Sequence, residues 1–209
     1  MPVNAREAGA GLAQLHAAAD GFDLSRRNSL GHDSWARLYA PHAAEAEGLQ
    51  PGLSSLIESD LSALASQWPQ DLPSGVIHAD LFPDNVFFIE QTFVAAIDFY
   101  FACNDAFAYD LAICLNAWCH DVDGVLDLAR ATAMVEGYES RRPLSHKEKA
   151  ALPILARGAA MRFFLTRLID WGSTPAGALV KPHDPMEYAR KLAFHRKAAG
   201  DLAAYGLTA

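Results

Sequence analysis

Asp80 and Asn85 stand five positions apart in the run His78-Ala79-Asp80-Leu81-Phe82-Pro83-Asp84-Asn85, and Asp98 closes the apolar stretch Val94-Ala95-Ala96-Ile97. These residue types suit phosphoryl transfer from a metal-bound nucleotide to an alcohol. One carboxylate accepts the proton of the attacking hydroxyl. An amide oxygen and a second carboxylate hold magnesium on the phosphates of ATP. Asp80 is the candidate base, and Asn85 and Asp98 are the candidate metal ligands. Taken alone, Asp80 reads as a loop aspartate capping a turn, and Asn85 as a turn residue beside Pro83-Asp84. Their joint spacing with Asp98 favours chemistry. Asp98 is the sharpest of the three, since a carboxylate that directly follows an apolar strand is costly to bury without a cation. His78 is assigned to support of the loop by hydrogen bonding to backbone, and Asp84 to a solvated turn. Asp110, in Tyr109-Asp110-Leu111-Ala112, is expected to brace the catalytic loop, the alternative being a simple interaction with a helix dipole.

The elements that must position these groups follow from pattern. Val76-Ile77 reads as a short strand, residues 79–85 as a loop, and Val86–Ile89 with Phe93–Ile97 as a hairpin around Glu90-Gln91-Thr92. Such a hairpin carries Asn85 at its entrance and Asp98 at its exit, which puts both metal ligands at one end of the ladder. The rest reads as helical. Residues 3–19 form the first helix. Ser34 to about Gly48 form a second, interrupted at Pro41. A third has Pro51 at its first position and an apolar stripe of Leu53, Ile57, Leu61, Leu64 and Trp68. After the hairpin, Asp105 is expected to cap a helix through Leu111, Leu115 and Trp118, and Asp123 to cap the next. Ser145-His146-Lys147-Glu148 has the capping-box form, and its helix carries Leu155, Phe163, Phe164, Leu168 and Trp171. Asp184-Pro185 starts a basic helix that ends near Leu202. The expected class is α+β and predominantly helical.

The bulk properties narrow the function. With 209 residues, 51% apolar and 20% charged, the chain has the composition of a folded globular protein. A formal net charge of −8 argues against a nucleic-acid surface, which needs clustered Lys and Arg. No apolar stretch is long enough for a membrane span. Three cysteines (Cys103, Cys114, Cys119) with no C-x-x-C pair suit free thiols in a reducing cytoplasm.

The loop pattern is similar to the H-R-D-x-x-x-x-N and D-F-G elements of kinases. His78–Asn85, Ile97-Asp98-Phe99 and Tyr109-Asp110-Leu111-Ala112 together resemble the aminoglycoside phosphotransferase/choline kinase-like superfamily. Four further stretches resemble the homoserine kinases of that superfamily: residues 98–105, Ile113–Cys119, Arg162–Leu168 and Thr174–Gly177. The resemblance implies a kinase-like C-terminal lobe, ATP and Mg2+ as cofactors, and L-homoserine as the small-molecule substrate. A zwitterionic acceptor wants an Arg for its carboxylate and oxygens for its ammonium. Arg162 is the preferred substrate ligand. Arg162 and Arg167 lie about 140° apart around a helix, so only one of them faces a small pocket. Asn104 and Asp105 are further candidates for the substrate site, and Trp118 is a candidate wall residue that more often belongs to a core.

The resemblance also implies a departure. Such kinases have an N-terminal lobe with a glycine-rich loop and a lysine on the phosphates. Gly9-Ala10-Gly11-Leu12 lies in a helical pattern and is not that loop. Residues 1–209 therefore read as a C-terminal lobe alone. The chain is then either a truncated product or one whose N-terminal lobe comes from a separate partner chain. Two rival readings stand beside the kinase: a vestigial lobe that binds a small molecule or partner without turnover, and a metal-dependent hydrolase using His78, Asp80 and Asp84.

Overall fold

The computed structural model describes every residue except 122, 176–178, 180, 208 and 209. Twelve helices and strands position the site. Helix α1 (Pro2–Ala18) buries Ala5, Ala8, Leu12 and His16, a stripe at helical spacing. It packs lengthwise on helix α6 (Leu128–Glu139) through two glycine notches. A β-carbon on Gly9 would meet the Met134 carbonyl oxygen at 2.1 Å, and one on Gly137 would meet the Arg6 carbonyl oxygen at 1.9 Å. Small residues let the two backbones touch.

Pro41 interrupts the next helical stretch as expected, leaving α2 (Trp35–Tyr39) and α3 (Ala43–Leu49) joined by a tight turn at Ala40–His42. Helix α4 (Leu53–Gln67) buries Leu53, Ile57 and Leu64. Pro51 lies outside it: Gly52, at φ 83°, is the N-cap, so the proline shapes the preceding turn.

Strand β1 (Ser74–Ile77) pairs antiparallel with β4 (Cys103–Ala106), while β2 (Val86–Ile89) and β3 (Thr92–Ala96) form the expected hairpin with Val86 opposite Ala96. Strand β4 corrects the reading of Asp105 as a helix cap. Asp105 lies opposite Gly75 in the ladder, and α5 (Phe107–Trp118) begins after Ala106 with no side-chain cap. Likewise α6 is capped by Asp127, whose side chain accepts from the Arg130 amide, while Asp123 lies in the preceding turn.

Helix α7 (His146–Ser173) opens with the expected capping box of Ser145 and Glu148. It buries Leu155, Phe163, Phe164 and Leu168, but leaves Trp171 45% exposed. Helix α8 (Met186–Ala198) stops short of Leu202, because Ala199 turns left-handed at φ 49°. Pro185 sits at its N-cap, and Asp184 accepts from the Met186 amide. A continuous apolar cluster runs from Ala5 to Tyr205 and includes Tyr109, Leu111, Met161 and Phe164. The three cysteines are free and buried in it. Of the stretch Thr174–Gly177, residues 176 and 177 lie outside the described residues. No described helix is long and apolar enough to cross a membrane.

Candidate active site

The loop between β1 and β2 is held from beneath by one buried carboxylate. Asp110, in the first turn of α5 and fully buried, accepts from the His78 amide at 2.7 Å and the Ala79 amide at 2.8 Å. His16 of α1 sits 3.0 Å from the same carboxylate, and the far side of its ring meets the Tyr138 hydroxyl of α6 at 2.8 Å. Burial alone would raise the Asp110 pKa. The hydrogen bond and charge of His16, with the His78 amide, outweigh it and hold the carboxyl below its usual range. Asp110 therefore stays ionised and keeps both loop amides paired.

This anchoring fixes a strained residue. Ala79 has φ 64°, a left-handed conformation that costs an L-residue about 1–2 kcal/mol. Its amide is taken by Asp110. Its carbonyl accepts from Arg162 Nη1 of α7. Beyond it, Phe82 N donates to the Asp80 carbonyl at 2.8 Å and Asn85 N donates to the Phe82 carbonyl at 3.0 Å, which folds the loop over Asp80.

Asn85 links the Asp80 loop to the end of the hairpin from which Asp98 leaves. Asn85 Nδ2 donates to the Asp80 carbonyl at 2.8 Å and lies 3.5 Å from the Asp80 carboxylate. Among the described residues nothing donates to Asn85 Oδ1. Ile97 N donates to the Asn85 carbonyl at 3.0 Å, so Asp98 leaves the hairpin beside Asn85, as its register requires. His78 joins the two loops: its Nε2 donates to the Ile97 carbonyl at 3.0 Å, and its Nδ1 accepts from the Asp80 amide at 3.2 Å. That pairing makes Nε2 the protonated nitrogen.

Asp98 corrects the argument made for it. The side chain is exposed, so no burial penalty calls for a cation. The backbone carries the signal instead: φ 61° and ψ 62° in a non-glycine residue, with Oδ1 receiving, among the described residues, only the Tyr100 amide at 3.4 Å. Asp80 is half-buried. Desolvation raises its pKa to about 6, the Arg162 charge opposes that, and Asp98, Asp84 and Asp110 add to it. It remains mostly ionised at neutral pH, in the range a general base needs.

The available oxygens fit a divalent ion of a particular kind. Among the described residues no three His, Cys, Asp or Glu side chains could share one metal. This set of hard oxygens, Asn85 Oδ1 and the exposed Asp98 carboxylate, suits a hard divalent ion that takes further ligands from phosphates and water. It does not match a hydrolytic zinc centre.

The remaining candidates divide between a separate cavity and the underside of the loop. Asn104 and Asp105 line a cavity of about 320 Å³ with Arg27, Asn28 and Asp33, and Asp80 is not part of its wall. There Asp105 accepts from Asn28 at 2.7 Å and Asn104 Oδ1 from the Arg26 amide at 2.8 Å. Trp118 backs the loop, donating from Nε1 to the Leu81 carbonyl at 2.8 Å. Arg162 is 2% exposed and bonded to the loop. Arg167 turns away to Glu187 at 2.6 Å. Sequence reasoning missed His16 and Tyr138. The one available signal was a histidine in line with the apolar stripe of α1.

A model of the phosphotransferase enzyme family matches residues 2–144. The chain is 63% identical over 196 residues to a homoserine kinase of Caulobacter sp. (strain K31), covering 93% of this chain and 61% of that protein. It is 60% identical over 207 residues to a homoserine kinase of Phenylobacterium zucineum (strain HLK1), covering 99% and 64%. The chain thus spans less than two thirds of the length of these curated relatives. Among solved structures it is similar to an aminoglycoside phosphotransferase from Alicyclobacillus acidocaldarius, with a TM-score of 0.65 at 16% identity over 98% of this chain and 64% of that one. It is also similar to the amicoumacin kinase hAmiN, solved with AMP-PNP, Ca2+ and Ami, with a TM-score of 0.61 at 16% identity over 96% and 59%. Those likenesses show the fold, a kinase-like helical lobe. With the family model covering more than half of the residues, and covering both the Asp80 loop and Asp98, the chain belongs to the phosphotransferase enzyme family.

Proposed function

We propose that this chain is the catalytic lobe of a homoserine kinase, transferring the γ-phosphate of ATP to the side-chain hydroxyl of L-homoserine in the cytoplasm. What supports the reading is that Asn85 holds the Asp80 carbonyl while Asp98 leaves the same end of the β2–β3 hairpin, with His78 bonded to both segments. Identity of 60–63% to homoserine kinases supports L-homoserine as the acceptor.

In this reading Asp80 orients the acceptor hydroxyl and takes its proton, and the raised pKa favours that transfer near neutrality. Asn85 Oδ1 and Asp98 hold the divalent ion, which, when bound, neutralises charge on the nucleotide phosphates. Asp110 and His78 keep Asp80 aimed by pairing the loop amides. Residues 1–209 act as a single lobe.

The hairpin and the turn after it expose apolar side chains: Phe87, Ile89, Val94, Ile97, Phe99 and Tyr100 are 45–71% exposed. Such an apolar surface favours packing against a further lobe, which would complete the nucleotide site. The same surface favours a second reading, a lobe that binds without turnover.

The test is ADP release from Mg-ATP with L-homoserine, for the chain alone and with the part of the Caulobacter relative that this chain does not match supplied separately as the further lobe. Homoserine-dependent turnover is expected with the supplement and only weakly without it. Turnover at ordinary enzymatic rates by the chain alone would remove the need for a further lobe. No turnover in either case, with nucleotide still bound, would favour the non-catalytic reading.

A further inference from the structure

Arg162 is a buried cation whose one hydrogen bond among the described residues goes to a backbone carbonyl. It is 2% exposed, forms no ion pair, and leaves Nε buried without a partner. An arginine in such a place costs stability, and a purely structural role would be served as well by a hydrophobic residue of its size. The carbonyl it holds belongs to Ala79, the left-handed residue that leads directly into Asp80. The other polar group of Ala79, its amide, is held by Asp110 at 2.8 Å. One strained residue is thus gripped from both sides by buried charges of opposite sign, one from α5 and one from α7.

The guanidinium is itself aimed. Its centre lies 4.6 Å from the Phe163 ring and 5.3 Å from the Phe101 ring. Phe101 ends the short turn that Asp98 caps. Arg162 therefore touches the two segments that carry the base and a metal ligand, through different forces: a hydrogen bond to one and a cation–π contact to the other.

We propose that Arg162 is a positioning residue, which holds the Ala79 peptide in its left-handed turn and sets the Asp80 loop in register with the Asp98 turn. This rests on the phosphotransferase reading above and replaces the role of substrate-carboxylate ligand that its residue type first suggests. The carboxylate of the acceptor must find its partner elsewhere.

A double-mutant cycle with Ala79 tests it, since glycine occupies φ 64° without help. In the chain supplemented with the further lobe, Arg162→Met is expected to lower kcat about 100-fold while KM for homoserine and ATP stays within about threefold, the signature of lost alignment. Ala79→Gly in the Arg162→Met background should recover about tenfold of that kcat, and should give no such gain in the native background. In the chain alone, amide hydrogen exchange over residues 78–82 should quicken about tenfold in Arg162→Met, slow again in the double variant, and leave α5 unchanged.

Three results would each overturn the proposal: a rise in the homoserine KM of about tenfold or more at constant kcat, strictly additive effects of the two substitutions, or unchanged exchange over residues 78–82. If Arg162→Met gives no cooperative melt, Arg162→Lys carries the same cycle, because it keeps charge and bulk but loses the planar fork. If the native chain phosphorylates nothing, the functional reading fails, and the exchange measurement still decides the clamp.

Discussion

The two ends of this lobe differ in backbone and in surface. At the end built from α5, α7 and α8, several buried polar groups pair with one another, although the Tyr188 hydroxyl and His120 Nε2 are buried without a partner among the described residues. His195 meets the Tyr205 hydroxyl at 2.7 Å and Asn116 Oδ1 at 2.9 Å, Asn116 donates to the Ala156 carbonyl at 2.7 Å, and buried Asp60 is held by Arg157 and Arg196. At the hairpin end the backbone is strained and apolar side chains face outward. Ala79, Glu90 and Asp98 all have positive φ, and Phe87, Ile89 and Tyr100 are more than half exposed. The hairpin end instead stores backbone strain at Ala79 and Asp98, in the two segments that the proposed chemistry would use.

The strongest way to break this contrast is to remove chemistry from one end without touching the other. Asp80→Asn should cut kcat by about 10²–10⁴, yet it should leave the melting temperature equal or slightly higher, because burial already disfavours the charge. A steady-state assay beside a calorimetric scan checks both. A large fall in melting temperature would mean that Asp80 also holds the fold. Asp110→Ala sits at the junction of the two ends. It orphans two buried amides and removes the partner of His16, so a loss of about 3 kcal/mol is expected in urea unfolding, with faster exchange at residues 78–79.

The helical end has its own signature in pH. Burial lowers the His120 pKa from 6.5 to about 4 and drives that of His195 the same way. Below about pH 6.5 the unfolded chain takes up protons that the folded chain refuses, so stability present above that pH is lost as it falls toward about 4. A fall in melting temperature of about 5 °C from pH 7 to pH 5 is expected, and His120→Asn should flatten it. The smallest effect belongs to the exposed face. Phe87→Lys and Ile89→Lys should change the stability of the chain alone by less than about 0.5 kcal/mol, while weakening rescue by the supplementary lobe. A larger loss would mean that this face is covered from within the chain.

How far the sequence carried the reading depends on the range of each interaction. The hairpin, the shared end of Asn85 and Asp98, the break at Pro41 and the capping box at Ser145 are local patterns, and the structure has each of them. Strand β4 was not legible, because Cys103–Ala106 pairs with Ser74–Ile77 across the whole hairpin and its Asp105 mimics a helix cap. Asp127 was passed over for Asp123 because both precede apolar residues, and only the turn at Gly124 separates them. For Asp98 the residue was singled out for a burial that the fold does not provide. Its left-handed backbone has no trace in residue type. The partners of Asp110 and Ala79 come from α1 and α7, and no spacing rule reaches so far along a chain.

The reciprocal notches at Gly9 and Gly137 carry a further meaning. Because each helix seats its backbone against the other, α1 has almost no room to slide or roll, and His16 near its end is delivered to Asp110 like the tip of a lever on a fixed fulcrum. A single methyl at either notch would spread the pair, and the displacement would arrive at the loop before Asp80. Two residues without side chains thereby set the tolerance of the Asp80 loop.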